Sequence, residues 1–362
     1  MAFTATEITN IANAALDFYI KGPAFAQTIQ SRPLLDHYMR RQKTFPGGKG
    51  SIDLPVKGDY TTAISGYTHN DTVAYANPAN LKRVNFPWKE IHAGITVTLS
   101  ELKRDGITVV DSLNGAKTTE HSNIEMTRLV GLLEDKLDDM AEGWARTFNN
   151  MLWRDGTQDA KLIQGITAFI ADDPTTGTLG GLSRATTVDN KGFYYWRNRA
   201  AVGANTITHS PSGQTLTKFL RKEVRQLTRY GGKPTIILCG SKFIEALEAE
   251  VHEKGYYTLE GFKSEGKTDI GMAKISLRGL GTFEYDPTLD DLQAITGSAV
   301  DYSKRCYMID SDAISLYCME GEDRKTHTPA RPYDQYTLYR AMTWTGGTVA
   351  RQLNSSGVYA VA

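Results

Sequence analysis

One long amphipathic helix limits the folds open to this chain more than any other sequence feature. Between residues 122 and 152, apolar side chains recur in steps of three and four opposite a charged face: Met126, Leu129, Leu133, Leu137, Met140, Trp144, Phe148 and Met151. Ser122 and Glu125 form a capping box, and Gly156 follows the end. About thirty residues at about 1.5 Å each predict a rod roughly 45 Å long. Because the stripe keeps no strict heptad, it favours a supporting helix over a coiled coil.

Composition excludes several classes of protein. The chain has 41 Lys and Arg residues and 41 Asp and Glu residues, whereas a dedicated nucleic-acid binder usually carries a basic excess. The three cysteines, Cys239, Cys306 and Cys318, are too few for a disulfide framework and are predicted to be free thiols, which fits a reducing cytoplasm. The N-terminus lacks signal-peptide features, and no apolar run is long enough to span a membrane.

Residues 46–99 change to a strand pattern. Ile52, Leu54 and Val56 alternate with polar neighbours. Two further sets alternate later: Val84, Phe86 and Trp88, and then Ile95, Val97 and Leu99. We therefore expect two long strands joined by a polar, tyrosine-bearing excursion. That excursion has few, scattered apolar residues, so we expect it to pack on a neighbouring subunit, the alternative being a loose surface loop.

The lead segment, residues 1–45, combines local helix with a basic cluster. Apolar residues at helical spacing predict a first helix, which Gly22 and Pro23 end: Ile8, Ile11, Ala15 and Phe18. The cluster that follows is read as a solvated face, with a weak nucleic-acid contact as the alternative: Arg32, Arg40, Arg41 and Lys43.

The rest of the chain reads as mixed helix and strand. Residues 214–232 and 241–255 predict helices on either side of a buried strand at 233–240. Residues 277–291 predict a strand and a turn, and residues 304–361 predict several strands that continue to the end. The fold class is therefore α+β, with an α/β layer in its middle.

No arrangement of catalytic, metal-binding or cofactor-binding residues emerges. The Gly-rich residues 47–51 lack the spacing of a phosphate-binding loop, and the seven histidines are scattered. The Asp-Pro steps at 173–174 and 286–287 are read as turns rather than carboxylate sites. Ser210 is adjacent to His209 but lies outside any nucleophile elbow. We therefore predict no catalytic residue, no metal and no cofactor.

The order of elements and several segments resemble the Hong Kong 97-like major capsid proteins of tailed bacteriophages. The resemblance is carried by LIQGITAFIADDPTTGTLGGLSRAT (162–186), FYYWRNRA (193–200), PTIILCGSKFIEALEA (234–249), FEYDPTLDD (283–291) and the strand-rich end at 340–362. It extends over nearly the whole chain, but its motifs are diffuse.

The resemblance implies four structural parts. They are an N-terminal arm (1–45), an extended β-hairpin loop (46–99), a peripheral domain (100–160 and 304–362) with a spine helix at 122–152, and an α/β axial domain (161–303). The extended loop would lie over a neighbouring subunit, and the candidate intersubunit contacts are Tyr60, Tyr67, Tyr75 and Trp88.

The function implied is that of a non-enzymatic head protein. Such a chain would assemble as pentamers and hexamers into an icosahedral shell around double-stranded DNA, with portal and scaffolding proteins as partners. It would touch the DNA weakly and without sequence specificity, assemble in the host bacterial cytoplasm and reside in the virion. Two alternatives stay open: an encapsulin-type compartment shell with the same fold, and an α/β enzyme built on residues 157–300.

Overall fold

Two β-sheets and one long helix organise the chain in a computed structural model, which describes residues 30–58, 64–73, 75, 81–98, 100, 104, 123–185, 187–188, 193–253, 274–277, 279–327 and 337–362. The elements discussed here all lie in one compact unit, Arg32–Ala362. The first predicted helix, around residues 8–18, falls outside the described residues.

The described helices are α1 (Pro33–Arg40), α2 (Asn123–Trp153), α3 (Ile166–Phe169), α4 (Thr215–Leu227), α5 (Ser241–Glu253) and α6 (Pro287–Thr296). The strands are β1 (Lys43–Phe45), β2 (Ser51–Lys57), β3 (Leu81–Pro87), β4 (Lys89–Thr98), β5 (Thr178–Leu179), β6 (Leu182–Ser183), β7 (Thr187–Val188), β8 (Phe193–Tyr194), β9 (Arg199–Ala201), β10 (Ile236–Cys239), β11 (Lys274–Leu277), β12 (Gly281–Tyr285), β13 (Arg305–Ile309), β14 (Ile314–Met319), β15 (Lys325–His327), β16 (Thr337–Ala350) and β17 (Gly357–Ala360). Short 3-10 turns occupy Gly203–Asn205 and Tyr302–Lys304.

The strands form two main sheets. In the five-stranded sheet, β1, β14, β16 and β15 follow one another, and β4 pairs with β16. In the six-stranded sheet the order is β11-β12-β10-β13-β17-β9. The pairs β2–β3, β5–β6 and β7–β8 form small separate hairpins. The strands expected between residues 304 and 361 are present, and they divide between both main sheets.

The long helix predicted at 122–152 is present as α2. Trp144, Phe148 and Met151 are buried, and the Trp144 and Phe148 rings stack with centroids 4.7 Å apart. The stripe is not buried along its whole described length, because Leu137 is 39% exposed. Apolar spacing identifies the face of the helix that can be buried, whereas burial itself also requires a neighbouring element, and the main core supplies one at Trp144, Phe148 and Met151.

Alternate residues of the six-stranded sheet enter two different cores. Leu238, Tyr307 and Val358 face the core that also holds the end of α2. Their neighbours in sequence face the core formed with α4 and α5, and among these are Cys239 and Cys306, which lie directly opposite each other on β10 and β13. Both faces of the sheet are therefore covered at its inner strands β10, β13 and β17, in which every residue is buried.

One predicted turn is a helix. Residues 286–291 were expected to form a turn, but α6 runs for ten residues from Pro287. Asp286 is its N-cap and accepts a hydrogen bond from the Thr288 backbone N–H, while Pro287 takes the first helical position. Leu289 and Leu292, three residues apart, are both buried. The Asp-Pro step marked a helix start, and the apolar spacing behind it was the missed signal.

Residues 46–99 also differ from the expectation of a single pair of long strands. β2 pairs with β3 from Ser51↔Pro87 to Lys57↔Leu81. After Trp88 the chain enters the five-stranded sheet, where β4 pairs with β16 over ten residues. The apolar positions shift from even numbers at Val84, Phe86 and Trp88 to odd numbers at Ile91 and Ile95, and this change of phase was the available signal that the chain changes sheets.

Candidate assembly surface

The hairpin β2–β3 is anchored at its base in the main core. Ile52, Val56, Val84 and Phe86 are all buried there. The ring of Phe86 lies 5.6 Å from that of Phe169 in α3. The base is therefore part of the main core, and the expected lack of an intrinsic core concerns only the excursion beyond it.

The turn at Gly180, within segment 162–186, holds the base of the hairpin in place. The Asn85 backbone N–H donates to the Gly180 carbonyl oxygen at 2.9 Å. Gly180 has φ +59°, and a Cβ there would lie 2.9 Å from the Phe86 ring, so glycine is required both by the backbone and by the close packing. Segment 162–186 thus positions the hairpin.

Beyond the base, the described residues of the excursion are exposed to solvent. Ile64 is fully exposed, Tyr75 is 94% exposed and Tyr67 is 75% exposed. Val73 and Leu81 are also exposed large hydrophobic residues. Five of the eight exposed large hydrophobic residues in the described chain fall between residues 64 and 81. Such a cluster, projecting from a rigid base, is typical of a surface that another protein covers.

Part of this excursion has local order of its own. Asp71 accepts hydrogen bonds from the backbone N–H and the hydroxyl of Thr68, at 2.8 and 2.6 Å. The Thr68 hydroxyl and N–H hold the pKa of the Asp71 carboxyl below its usual range. This turn shapes the chain between Tyr67 and Val73 without burying either side chain.

The candidate contact residues lie in different surroundings. Tyr67 and Tyr75 are in the bare excursion, whereas Tyr60 lies outside the described residues. Trp88 is half-buried against the main core, and its indole N–H donates to the Lys49 carbonyl oxygen at 2.5 Å. Their role in contacts between subunits stays a prediction. Sequence reasoning did not single out Ile64, Val73 or Leu81, although an apolar residue in a polar segment was the available signal.

Three residues of the basic cluster in the lead segment form contacts within the chain, whereas a fully solvated face would form none. Arg32 forms an ion pair with Glu142 of α2, and this guanidinium holds the pKa of the Glu142 carboxyl below its usual range. Lys43 donates to the Ser315 hydroxyl at 2.9 Å. Arg41 pairs with Asp312. These contacts fix α1 and β1 against the rest of the subunit.

Two carboxylates near the Asp-Pro step at 173–174 and near His209 have structural partners. Asp172 receives two hydrogen bonds, of 2.8 and 2.7 Å, from buried Arg305. The carboxylate of buried Glu250 accepts from the first backbone N–H groups of α4, at Leu216 and Thr217, and His209 lies 3.6 Å away from it. Across the described residues, no group of three or more His, Cys, Asp or Glu side chains is placed to hold a metal ion.

Comparisons with known proteins find their matches among solved capsid structures. No protein-family model matches the chain. No curated protein matches it either. A search of solved structures finds the cyanophage A-1(L) capsid asymmetric unit, with a TM-score of 0.59 and 17% identity over 94% of this chain and 96% of that one. The capsid of a native GTA particle matches with a TM-score of 0.52 and 15% identity, over 97% and 98% of the two chains.

The chain has a capsid fold. At 15–17% identity the likeness concerns the path of the backbone, and it extends over nearly all of both chains. The predicted α+β class and the predicted resemblance to phage capsid subunits are confirmed at the level of the fold. Within the described helices, none is both long and apolar enough to cross a bilayer.

Proposed function

We propose that this chain is the major capsid protein of a tailed bacteriophage and acts without catalysing a reaction. Copies of it assemble as pentamers and hexamers into an icosahedral shell around double-stranded DNA. Portal and scaffolding proteins are its expected partners, assembly takes place in the host bacterial cytoplasm, and the product is part of the virion. The four-part division proposed from the sequence gives the arm, extended loop, peripheral domain and axial domain their places in that shell.

The observation that supports this proposal is the contrast within the hairpin. Its base is buried in the subunit core, while the segment beyond it exposes Ile64, Tyr67 and Tyr75. Each exposed aromatic or aliphatic side chain could contribute about 1.5–3 kcal/mol when covered. A shell repeats such a contact between every pair of neighbours, so a modest affinity per contact is enough for a stable particle.

The test shortens the hairpin at a point where the structure allows it. Because Lys57 and Leu81 pair as register partners, residues 58–80 can be replaced by Asn-Gly, which closes a two-residue hairpin turn. We expect a folded subunit with unchanged circular dichroism that no longer forms particles in electron micrographs. Unfolding of the shortened chain, or particle formation by it, would refute the assembly role of this segment.

A point-variant pair controls for the length of the segment. Ile64→Ser, Tyr67→Ser and Tyr75→Ser together should block assembly, as measured by sedimentation velocity. The matched control, His69→Ser, Asn70→Ser and Thr72→Ser, changes exposed polar residues of the same segment and should assemble normally. The contents of the wild-type particles provide the last check, since a protein cargo in place of DNA would favour a compartment shell.

A further inference from the structure

Helix α4 carries a basic face, although the chain as a whole has no net charge. The helix and the turn that follows it expose six cationic side chains: Lys218, Arg221, Lys222, Arg225, Arg229 and Lys233. The first five follow the spacing of one helical face, with steps of three or four residues between successive turns. From Lys218 to Arg229 this face extends about 16 Å.

The acidic residue of α4 does not neutralise this face. Glu223 is buried, and Arg199 of β9 forms an ion pair with it. The Arg199 Nη2 group donates to Glu223 at 2.9 Å, and the Tyr359 hydroxyl lies 3.3 Å from the same carboxylate. Among the described residues, none of the six exposed cations has a carboxylate within ion-pair distance.

Helix electrostatics does not explain the arrangement. Cations near a helix C-terminus interact favourably with the helix dipole, which accounts for Arg225 and Arg229. Lys218 lies in the first turn, where the same dipole is unfavourable to a cation, although its ammonium group donates to the Gly213 carbonyl oxygen at 2.9 Å. Like charges at steps of three and four also repel each other. The face therefore costs the free subunit some stability, a cost that a bound polyanion would remove.

An aromatic side chain extends the basic face. Tyr230 is 42% exposed, and the Arg229 guanidinium lies 5.3 Å from the centre of its ring. A basic stripe beside an exposed aromatic ring is typical of surfaces that lie along a nucleic-acid backbone. On the neighbouring helix α5, Glu245 is exposed and Glu248 is half-buried, and neither lies within ion-pair distance of the six cations.

We propose that the outer face of α4 binds the phosphate backbone of nucleic acid without reading its sequence. The identity of that polyanion as the enclosed genome rests on the proposed function, whereas the binding itself rests on the helix. Six phosphate contacts predict a slope of about −5 for the logarithm of affinity against the logarithm of salt concentration.

The experiment measures binding of the purified full-length chain to a fluorescent 30-base-pair DNA duplex by anisotropy between 50 and 200 mM salt. The variant Arg221→Gln, Lys222→Gln, Arg225→Gln removes three cations from the face. The matched control, Lys82→Gln, Lys161→Gln, Arg324→Gln, removes three exposed cations that lie apart from one another. The net charge is the same in both variants.

We expect the α4 variant to lower the salt slope by about 3 and to weaken binding at 100 mM salt roughly ten-fold or more, with the control close to wild type. Equal loss in both variants would show that net charge, and not this face, governs binding. Retained DNA binding with impaired self-association would assign the face to a contact between copies and overturn the proposal. Electron micrographs of wild-type particles test the shell function separately, so the two proposals can fail independently.

Discussion

Asp286 makes the stability of this subunit depend on pH in a direction opposite to that of most carboxylates. The side chain is fully buried where the end of α2 meets the start of α6. One oxygen accepts from the Thr288 backbone N–H at 2.9 Å, and the other accepts from the Trp153 indole N–H at 3.2 Å. Burial raises the pKa of Asp286 to about 6, and the nearby Glu284 carboxylate adds to that rise, although hydrogen bonds from the side chain and backbone of Thr288 and from Trp153 oppose it.

The sign of the effect follows from this raised pKa. The folded state holds the Asp286 proton more tightly than the unfolded chain, whose pKa is 3.8. The stabilisation is therefore fully present below pH 3.8 and is lost as the pH rises through 6. Linkage between these two values gives a gain of about 1.3 kcal/mol from this group when the pH falls from 7 to 5.

The assay compares wild type with Asp286→Asn by urea unfolding, followed by tryptophan fluorescence, at pH 5, 6 and 7. Asn keeps an oxygen that can cap α6 but cannot titrate. Because all other titrating groups are shared, the difference between the two proteins isolates Asp286. We expect wild type to gain about 1.3 kcal/mol over the variant between pH 7 and pH 5. A difference that stays constant across this range would refute the reasoning.

Three further predictions concern the anchors of the hairpin and the core. Phe86→Ala should lower the free energy of unfolding by about 3–5 kcal/mol, because it leaves a cavity in a fully packed site. The exposed control Leu81→Ala should change that free energy by less than about 0.5 kcal/mol. Urea unfolding measures both values. Asp172→Asn should destabilise by about 2 kcal/mol, because it leaves the buried Arg305 guanidinium unpaired while Asp172 itself is partly solvated, and Arg305→Met in the same background should recover part of the loss. Burial raises the pKa of the Cys318 thiol to about 11, so this thiol should react with a thiol reagent at pH 8 only after unfolding.

Helices and strands could be predicted from the sequence where the apolar periodicity matches the pattern of burial. Helix α2 repeats its apolar spacing over many turns, and β10 is an apolar run of strand length, so both elements could be predicted. The three cysteines could also be placed, since Cys239 lies in an apolar run and all three prove to be free and buried.

Prediction from the sequence failed where one local pattern is compatible with two different structures. Alternation marks β2, β3 and β4 as strands, but it does not tell that β2 pairs with β3 while β4 pairs with β16, which only long-range contacts decide. At Asp286 and Pro287 the same two residues begin a turn or a helix, and the decision depends on whether Leu289 has a core to enter. The basic face of α4 was hidden for a similar reason, because a neutral total charge conceals charges that are separated in space.

The two surfaces proposed as binding sites, the excursion and the basic face of α4, differ in physical character. We expect their roles to differ for that reason. The exposed side chains of Ile64, Tyr67 and Tyr75 are aliphatic or aromatic, so their burial would be insensitive to salt and would depend on a protein partner of matching shape. The face of α4 is cationic and gains from any flexible polyanion, with an affinity that falls steeply as salt rises. A shell needs both properties, since contacts between subunits must persist while contacts with a packed polymer must allow that polymer to slide. Raising salt should therefore weaken nucleic-acid binding in the range that leaves particles intact, and particles that dissociate at the same salt concentration as the duplex would show that both contacts depend on charge.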